Sequence, residues 1–340
     1  MSAAPQTVVD SLNEGLHRVM ERDARVHMIG EDILDPYGGA FKVTKGLSTK
    51  FPNRVWTTPI SESAIVGVAV GMAMRGLRPI VEIMFGDFLT LAADQLINHA
   101  AKFPWMFNGG VQVPLVVRAP MGGRRGYGAT HSQSLEKHFL GVPGLWVIAP
   151  SVAGHPGGLL TQATLECHEP VLFIESKTCY GRALVTVPDG MAREVFATAQ
   201  APFETIRFRW VDARVDGVLC CYGGMTPIVL DAIRALADAE GLFLDLAVFS
   251  QLSPTPVEHI DWLLETAPGL CVLVEEASPM AGWSAEWIAA AEECRAAGGR
   301  AAVRYARVGS RHEPIGSGKR LEQHTLPQVA DLVAAVVEQF

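Results

Sequence analysis

Two short strings carry residue types that can move protons: Thr58-Pro59-Ile60-Ser61-Glu62 and, further along, Gly128-Ala129-Thr130-His131-Ser132-Gln133. Each places one acid–base group at the end of an apolar run, beside backbone that must turn. A carboxylate and an imidazole together equip a protein for proton transfer around a bound carbanion. At Glu62, Pro59 stiffens the approach, Ser61 can cap, and an apolar helical stretch follows. The helix dipole favours any acidic residue in a first turn, which is sufficient reason for a Glu there. Ile60, Ile65 and Val66 argue further for a dry surrounding, where an unpaired carboxylate is costly. A group so placed suits a hydrogen bond to a ring nitrogen of a cofactor.

His131 follows Gly122-Gly123-Arg124-Arg125-Gly126-Tyr127-Gly128, a flexible, glycine-rich loop after the apolar run Pro114–Ala119. Strand-end loops are where doubly wound sheets place ligands. A solvated histidine bonded to Ser132 or Gln133 fits the same spacing, so both readings stay open. Arg124 and Arg125 can anchor an anion, although charged loops are commonly just solvated.

Other motifs are missing. There is no Gly-Asp-Gly phosphate loop, no P-loop and no Gly-x-Ser-x-Gly elbow. Gly38-Gly39 and Gly154-His155-Pro156-Gly157-Gly158 are not dinucleotide fingerprints. Gly316-Ser317-Gly318-Lys319 lacks the pattern that precedes a phosphate loop and reads as a surface turn. No His, Asp or Glu cluster has metal spacing. The six cysteines form no Cys-x-x-Cys pair and read as small buried hydrophobes in a reducing compartment.

Over 340 residues, hydrophobic types make up 49% and charged types 19%, enough for two cores and consistent with buried subunit contacts. A net charge of −8 argues against nucleic acid. No apolar run is long enough to span a bilayer, and Met1–Pro5 has no secretory pattern, so a cytoplasmic protein is expected.

The elements that must position these residues alternate between strand and helix. Val26–Gly30, Pro79–Met84, Pro114–Ala119, Leu145–Ala149 and Val171–Glu175 read as strands, mostly apolar throughout, as in parallel sheets covered on both faces. Thr7 caps a helix bearing Val8, Leu12, Leu16 and Val19, and an Ala-rich helix punctuated by Gly67, Gly71 and Gly76 follows Glu62. Those glycines lower helix propensity, so close packing against another backbone is expected to compensate. Arg182–Pro202 is polar and aperiodic. A second series follows: strands at Gly217–Tyr222, Leu242–Val248, Leu270–Glu275 and Ala302–Val308, with helices near Pro227–Ala239, Ser284–Ala297 and Pro327–Glu338. The expectation is an α/β protein of two doubly wound β/α domains, over 1–185 and 206–340, joined by a linker at 186–205.

The strings also resemble a family: the beta subunit of the decarboxylating first component of 2-oxoacid dehydrogenases, of pyruvate and branched-chain type. The resemblance runs through Ile29-Gly30-Glu31-Asp32, Tyr37–Thr44, Thr58–Glu62, Gly76–Pro79, Asp94-Gln95, Ala100–Lys102, His131–Gln133, Val142–Gly144 and Glu275-Glu276, nearly the whole chain. It implies a pyrimidine-binding domain followed by a transketolase C-terminal-like domain that helps assembly rather than chemistry. It implies thiamine diphosphate bound between subunits. The alpha chain would bring the Gly-Asp-Gly motif that holds Mg2+ and the diphosphate, in an alpha2beta2 assembly serving a lipoyl acyltransferase domain. By the same resemblance Glu62 hydrogen-bonds the pyrimidine N1′ nitrogen, Phe88 packs on that ring beside Ile60, and His131 meets the substrate carboxylate or the later intermediate. Glu31 lies near the cofactor, and Leu115, Ala163 and Thr164 are candidates for a K+ site.

The basic run Arg124-Arg125 departs from the small residues of the typical loop, at the expected substrate or acceptor mouth. It opens a second reading, transfer of a two-carbon ketol or acyl unit to an acyl carrier protein, since arginines suit a phosphate-bearing donor or a phosphopantetheine arm. A third reading is a non-catalytic scaffold, which would need neither Glu62 nor His131.

Overall fold

Alternating residues of six parallel strands point into two different cores, which explains their unbroken apolar sequence. The computed structural model describes residues 5–266 and 269–340, and the elements below are counted among them. The strands are β1 (Val26–Gly30), β2 (Val55–Thr57), β3 (Arg78–Glu82), β4 (Val116–Met121), β5 (Trp146–Ile148), β6 (Val171–Ser176), β7 (Met191–Phe196), β8 (Thr205–Trp210), β9 (Gly217–Cys221), β10 (Leu244–Phe249), β11 (Gln251–Ser253), β12 (Leu270–Val274) and β13 (Arg304–Val308). The first sheet has the order β11-β5-β6-β4-β3-β1-β2. Its strands β1 to β6 pair in parallel, and only β11 runs against β5. Ile29, Val81, Val117 and Leu172 face one core; Met28, Ile80, Val116 and Phe173 face the other.

Helices Glu62–Met74 and Leu89–Asp94, the latter continued by a wide π turn over Gln95–Ala100, cover the first face. Helices Val8–Arg22 and Pro156–Leu165 cover the second. Thr7 and Asp10 form a capping box at the start of Val8–Arg22, as Thr7 suggests from sequence. The two covering helices touch backbone to backbone. A Cβ on Gly157 would fall 1.9 Å from the Ser11 carbonyl oxygen.

The second sheet has the order β13-β12-β9-β10-β8-β7. Strands β13, β12, β9 and β10 are parallel, while β8 and β7 are antiparallel additions. The linker reading of 186–205 therefore needs correction, because β7 lies inside it. As a half-buried edge strand, β7 carries Arg193 and Glu194 and looks like polar loop in sequence. The chain also returns to the first sheet through β11, and one apolar core runs from Val117 and Leu172 to Cys220, Phe249 and Trp287 across both sheets. All six cysteines are free and buried. No described helix is long and apolar enough to cross a membrane.

Because β1 to β6 run the same way, their carboxyl ends share one edge. The loops after β1, β2, β3, β4 and β6 emerge there. This is the general ligand position of parallel sheets.

Candidate active site at the carboxyl ends of the first sheet

Two carboxyls meet where β1 and β2 end. The Thr58 N–H donates to the Gly30 carbonyl at 3.1 Å, which fastens the Thr58–Ser61 segment to the end of β1. Helix Glu62–Met74 then begins, and Glu62 is its first residue, only 6% exposed. Ser61 occupies the cap position, but its hydroxyl makes no capping bond. Glu31 is also buried. Burial first, then the charges of Glu62 and Asp32, hold its carboxyl above the ordinary value, against the pull of the Ser61 N–H. Like charges in one crevice favour a proton on one of the pair. Glu31 Oε1 and Thr58 Oγ1 are buried without a hydrogen-bond partner. The dry surrounding expected from sequence holds for Ile65 and Val66. It does not hold for Ile60, which is 80% exposed: its backbone is tied to the strand end while its side chain points outward.

The loop after β3 supplies aromatic walls. Phe85-Gly86-Asp87-Phe88 turns tightly into helix Leu89–Asp94, which packs against helix Glu62–Met74. The His131 ring stands perpendicular to both phenyl rings, with centroids 5.0 Å from Phe85 and 5.3 Å from Phe88. Its Nδ1 lies 3.1 Å from Thr130 Oγ1. Helix Leu89–Asp94, which starts at Phe88, packs on helix Glu62–Met74, so the loops that carry Glu62, Phe88 and His131 open on the same edge of the sheet.

Sequence reasoning missed two members of this cluster. Lys177 follows β6 and is 0% exposed. Its ammonium lies over the Phe85 ring and donates to the His131 carbonyl. Burial pushes it down to about 8, although Asp87, Glu276 and Glu322 pull it up. Asp87 Oδ1 accepts from the Gln133 N–H at 3.2 Å and from Nε2 at 2.9 Å, while Oδ2 is buried and unpaired. A lysine directly after a parallel strand buried up to its last residue was the available signal for Lys177.

The paired arginines separate. Arg125 stays at the edge: its guanidinium lies over Phe41 and donates to the Lys177 carbonyl at 2.8 Å. Arg124 does not line a mouth. It bonds the Pro327 carbonyl at 2.7 Å and approaches Glu276 at 3.5 Å, so its charge is engaged by the second half of the chain. The K+ candidates Leu115, Ala163 and Thr164 are buried away from this edge. The Leu115 carbonyl accepts from the Val171 N–H. The Thr164 carbonyl accepts from Arg78, which also bonds the Cys167 carbonyl, so a guanidinium already supplies positive charge there.

The chemistry of the edge fits half of a cofactor. Three orphaned buried oxygens, on Glu31, Thr58 and Asp87, sit on neighbouring strand-end loops. With Phe88 they suit a flat, nitrogen-bearing ring. The acidic groups Asp32 and Glu62 repel a diphosphate, so an anionic tail is better gripped elsewhere. Beside the crevice the surface is apolar. Helix Glu62–Met74 is hydrophobic all round, yet Ala64, Val68 and Gly71 are exposed, and Ile60, Leu91, Trp105, Met106 and Phe107 are exposed too. Nothing lies within 4 Å of a Cβ built on Gly71. Apolar surface of this extent marks an interaction face. The close backbone packing expected at Gly71 is thus not made within the chain.

Comparison with known proteins agrees with this geometry. The family described as transketolase, pyrimidine binding domain, matches residues 4–182. The beta subunit of acetoin:2,6-dichlorophenolindophenol oxidoreductase from Cupriavidus necator is 36% identical, covering 96% of this chain and 94% of that one. The mitochondrial pyruvate dehydrogenase E1 component subunit beta-1 of Arabidopsis thaliana is 33% identical over 98% of this chain and 89% of its own. The 2-oxoisovalerate dehydrogenase subunit beta of Pseudomonas aeruginosa is 35% identical over 84% and 82%. A split-gene transketolase, solved as an inactive beta4 tetramer, shares the fold with a TM-score of 0.72 at 21% identity, covering 98% of both chains. The chain belongs to the transketolase-like pyrimidine-binding family, among the beta subunits of the decarboxylating first component of 2-oxoacid dehydrogenases.

Proposed function

We propose that this chain supplies the aminopyrimidine half of a thiamine diphosphate site completed by an alpha-type subunit, and that the assembled enzyme decarboxylates a 2-oxoacid and passes on its acyl group. Thiamine diphosphate, when bound, supplies the electron sink for the carbanion chemistry. Glu62 holds a proton at the N1′ nitrogen of the pyrimidine ring. Glu31, biased toward its protonated form, lets a second carboxyl stay in the same crevice without a second negative charge. Phe88 covers the ring, and His131 meets the substrate carboxylate. The partner brings the Gly-Asp-Gly motif, Mg2+ and the grip on the diphosphate. The apolar face around Val68, Leu91 and Trp105 is where it, or a second copy of this chain in an alpha2beta2 assembly, would sit.

The observation that carries this reading is the buried Glu31–Glu62 pair, with an orphaned oxygen, beside the Phe88–His131 contact. A lipoyl domain is the expected acyl acceptor. Transfer to a carrier-protein thiol drew on two free arginines, and only Arg125 remains free of an ion pair across the halves. The test is co-expression with the alpha-type partner, then assay of 2-oxoacids, acetoin and ketose phosphates with thiamine diphosphate and Mg2+. Turnover of a 2-oxoacid is expected. Titrating the cofactor into this chain alone should give negligible binding, and tight binding would overturn the shared site.

A further inference from the structure

The loop that carries His131 has no secondary structure of its own to satisfy it. Gly122, Arg124, Gly126 and Gly128 all take positive φ, at 92°, 72°, 85° and 81°. Backbone in that conformation forms neither helix nor ladder, so its buried N–H groups must find acceptors elsewhere. They find them in the second half of the chain. Glu322, on helix Lys319–Thr325, is fully buried. Its carboxylate accepts from the Gly126 N–H at 2.7 Å, from the Gly128 N–H at 3.5 Å and from the Ser132 hydroxyl. Glu276, after β12, accepts from the Gly123 N–H at 2.8 Å and the Ser134 hydroxyl at 3.3 Å. The Gly318 N–H also donates to the Gly126 carbonyl, and Tyr127 bridges Ser317.

The fit leaves no slack. A Cβ on Gly122 would fall 2.6 Å from a Glu276 carboxylate oxygen, and one on Gly128 2.5 Å from Ser317 Oγ. The glycines that look like flexibility in sequence are those that let the second half press on the loop. The donors to Glu322 bracket His131: Gly126 and Gly128 precede it and Ser132 follows. Lys177 holds the carbonyl between them. A buried carboxylate with three donors is strongly directional.

We infer that Glu322 is a positioning residue for His131, so that the second half of the chain sets the geometry of the active site as well as assisting assembly. This rests on His131 acting in the reaction. Glu322 touches no part of the crevice itself; it acts by fixing the His131 segment, and misplacing a reacting group by about 1 Å costs roughly a hundredfold in rate.

The experiment is a double-mutant cycle on the co-expressed, assembled enzyme: parent, Glu322→Gln, His131→Ala and the double variant. Steady-state kinetics is read together with hydrogen exchange over residues 122–134. Glu322→Gln keeps the shape, loses the charge and turns one acceptor into a donor. It is expected to lower kcat/KM for the 2-oxoacid by about tenfold to a hundredfold. It should speed exchange across 122–134 and cost nothing further in the His131→Ala background. Equal fold-losses in both backgrounds would mean a merely structural contact and overturn the inference, as would unchanged exchange. His131→Ala retaining turnover would remove the assigned role of His131, and the inference would fall with it. That outcome shows in the single variant, separately from the cycle. Should Glu322→Gln fail to fold, Ser132→Ala removes one of the three donors and must show the same non-additivity with His131→Ala.

Discussion

Replacing Glu62 by Gln separates chemistry from folding. Glu62 is the first residue of its helix, where the dipole favours a negative charge by about 0.3–1 kcal/mol, and Gln gives that up. The same change removes one of the charges that hold the Glu31 carboxyl above its ordinary value, so Glu31 is relieved by an opposing amount. Gln fills the same volume, and Ile65 and Val66 keep their packing. The net change in stability is therefore within about 1 kcal/mol. The chemistry has no such offset. An amide cannot give and take a proton at the ring nitrogen, and a positioned acid–base group contributes about 10²–10⁴ in rate. Glu62→Gln, co-expressed with its partner, should assemble, unfold in urea close to the parent midpoint, and lose about a hundredfold or more in 2-oxoacid turnover to an artificial electron acceptor. Turnover within about tenfold of the parent, with assembly intact, would refute the assignment.

Other expectations concern the framework. Burial pushes the Glu136 carboxyl up to about 7 from 4.5, against a hydrogen bond from Tyr222. The native state keeps the proton that the unfolded state has lost, so this contribution to stability is full below pH 4.5 and is lost as pH rises through 7. Glu136→Gln should flatten the pH dependence of the urea midpoint in that window, and an unchanged slope would exclude the buried proton. Arg118 bonds Glu82 at 2.7 Å and Glu175 through two nitrogens, all buried. Arg118→Met takes the cation from both carboxylates, leaving Glu175 only the Tyr180 hydroxyl, and should destabilise by about 3–5 kcal/mol; a loss under about 1 kcal/mol would show the cluster neutralises itself. Gly157→Ala forces a methyl against the Ser11 carbonyl and must spread two helices, at about 1–3 kcal/mol measured by denaturation. A neutral result there would mean the helix pair is looser than its geometry.

Much of the fold was legible because local physics repeats. Five apolar runs lay in the strands of the first sheet, since parallel strands buried on both faces need no alternation. Thr7 capped as its type suggests. The strands β2, β7, β8 and β11 escaped notice: β2 and β11 are three residues long, and β7 is polar at an exposed edge. Ile60 was misplaced because an apolar side chain in sequence says nothing about whether its covering lies in the same chain. Arg124 and Arg125 look alike in sequence and part company only when Glu276 and Pro327 arrive from far along the chain.

The residue types and spacing of Thr58–Glu62 and His131–Gln133 by themselves offered a carboxylate and an imidazole for proton transfer, and left open beside it a dipole-favoured helix start and a solvated loop histidine. The tertiary structure alone decided that burial and the charge of Glu62 raise the Glu31 carboxyl, that the Lys177 ammonium holds the His131 carbonyl, and that Glu276 and Glu322 clamp the loop. The reason is one of range. Propensity and periodicity act over a few residues, whereas the electrostatics of a buried charge depend on whatever the fold brings within hydrogen-bonding distance, however distant in sequence.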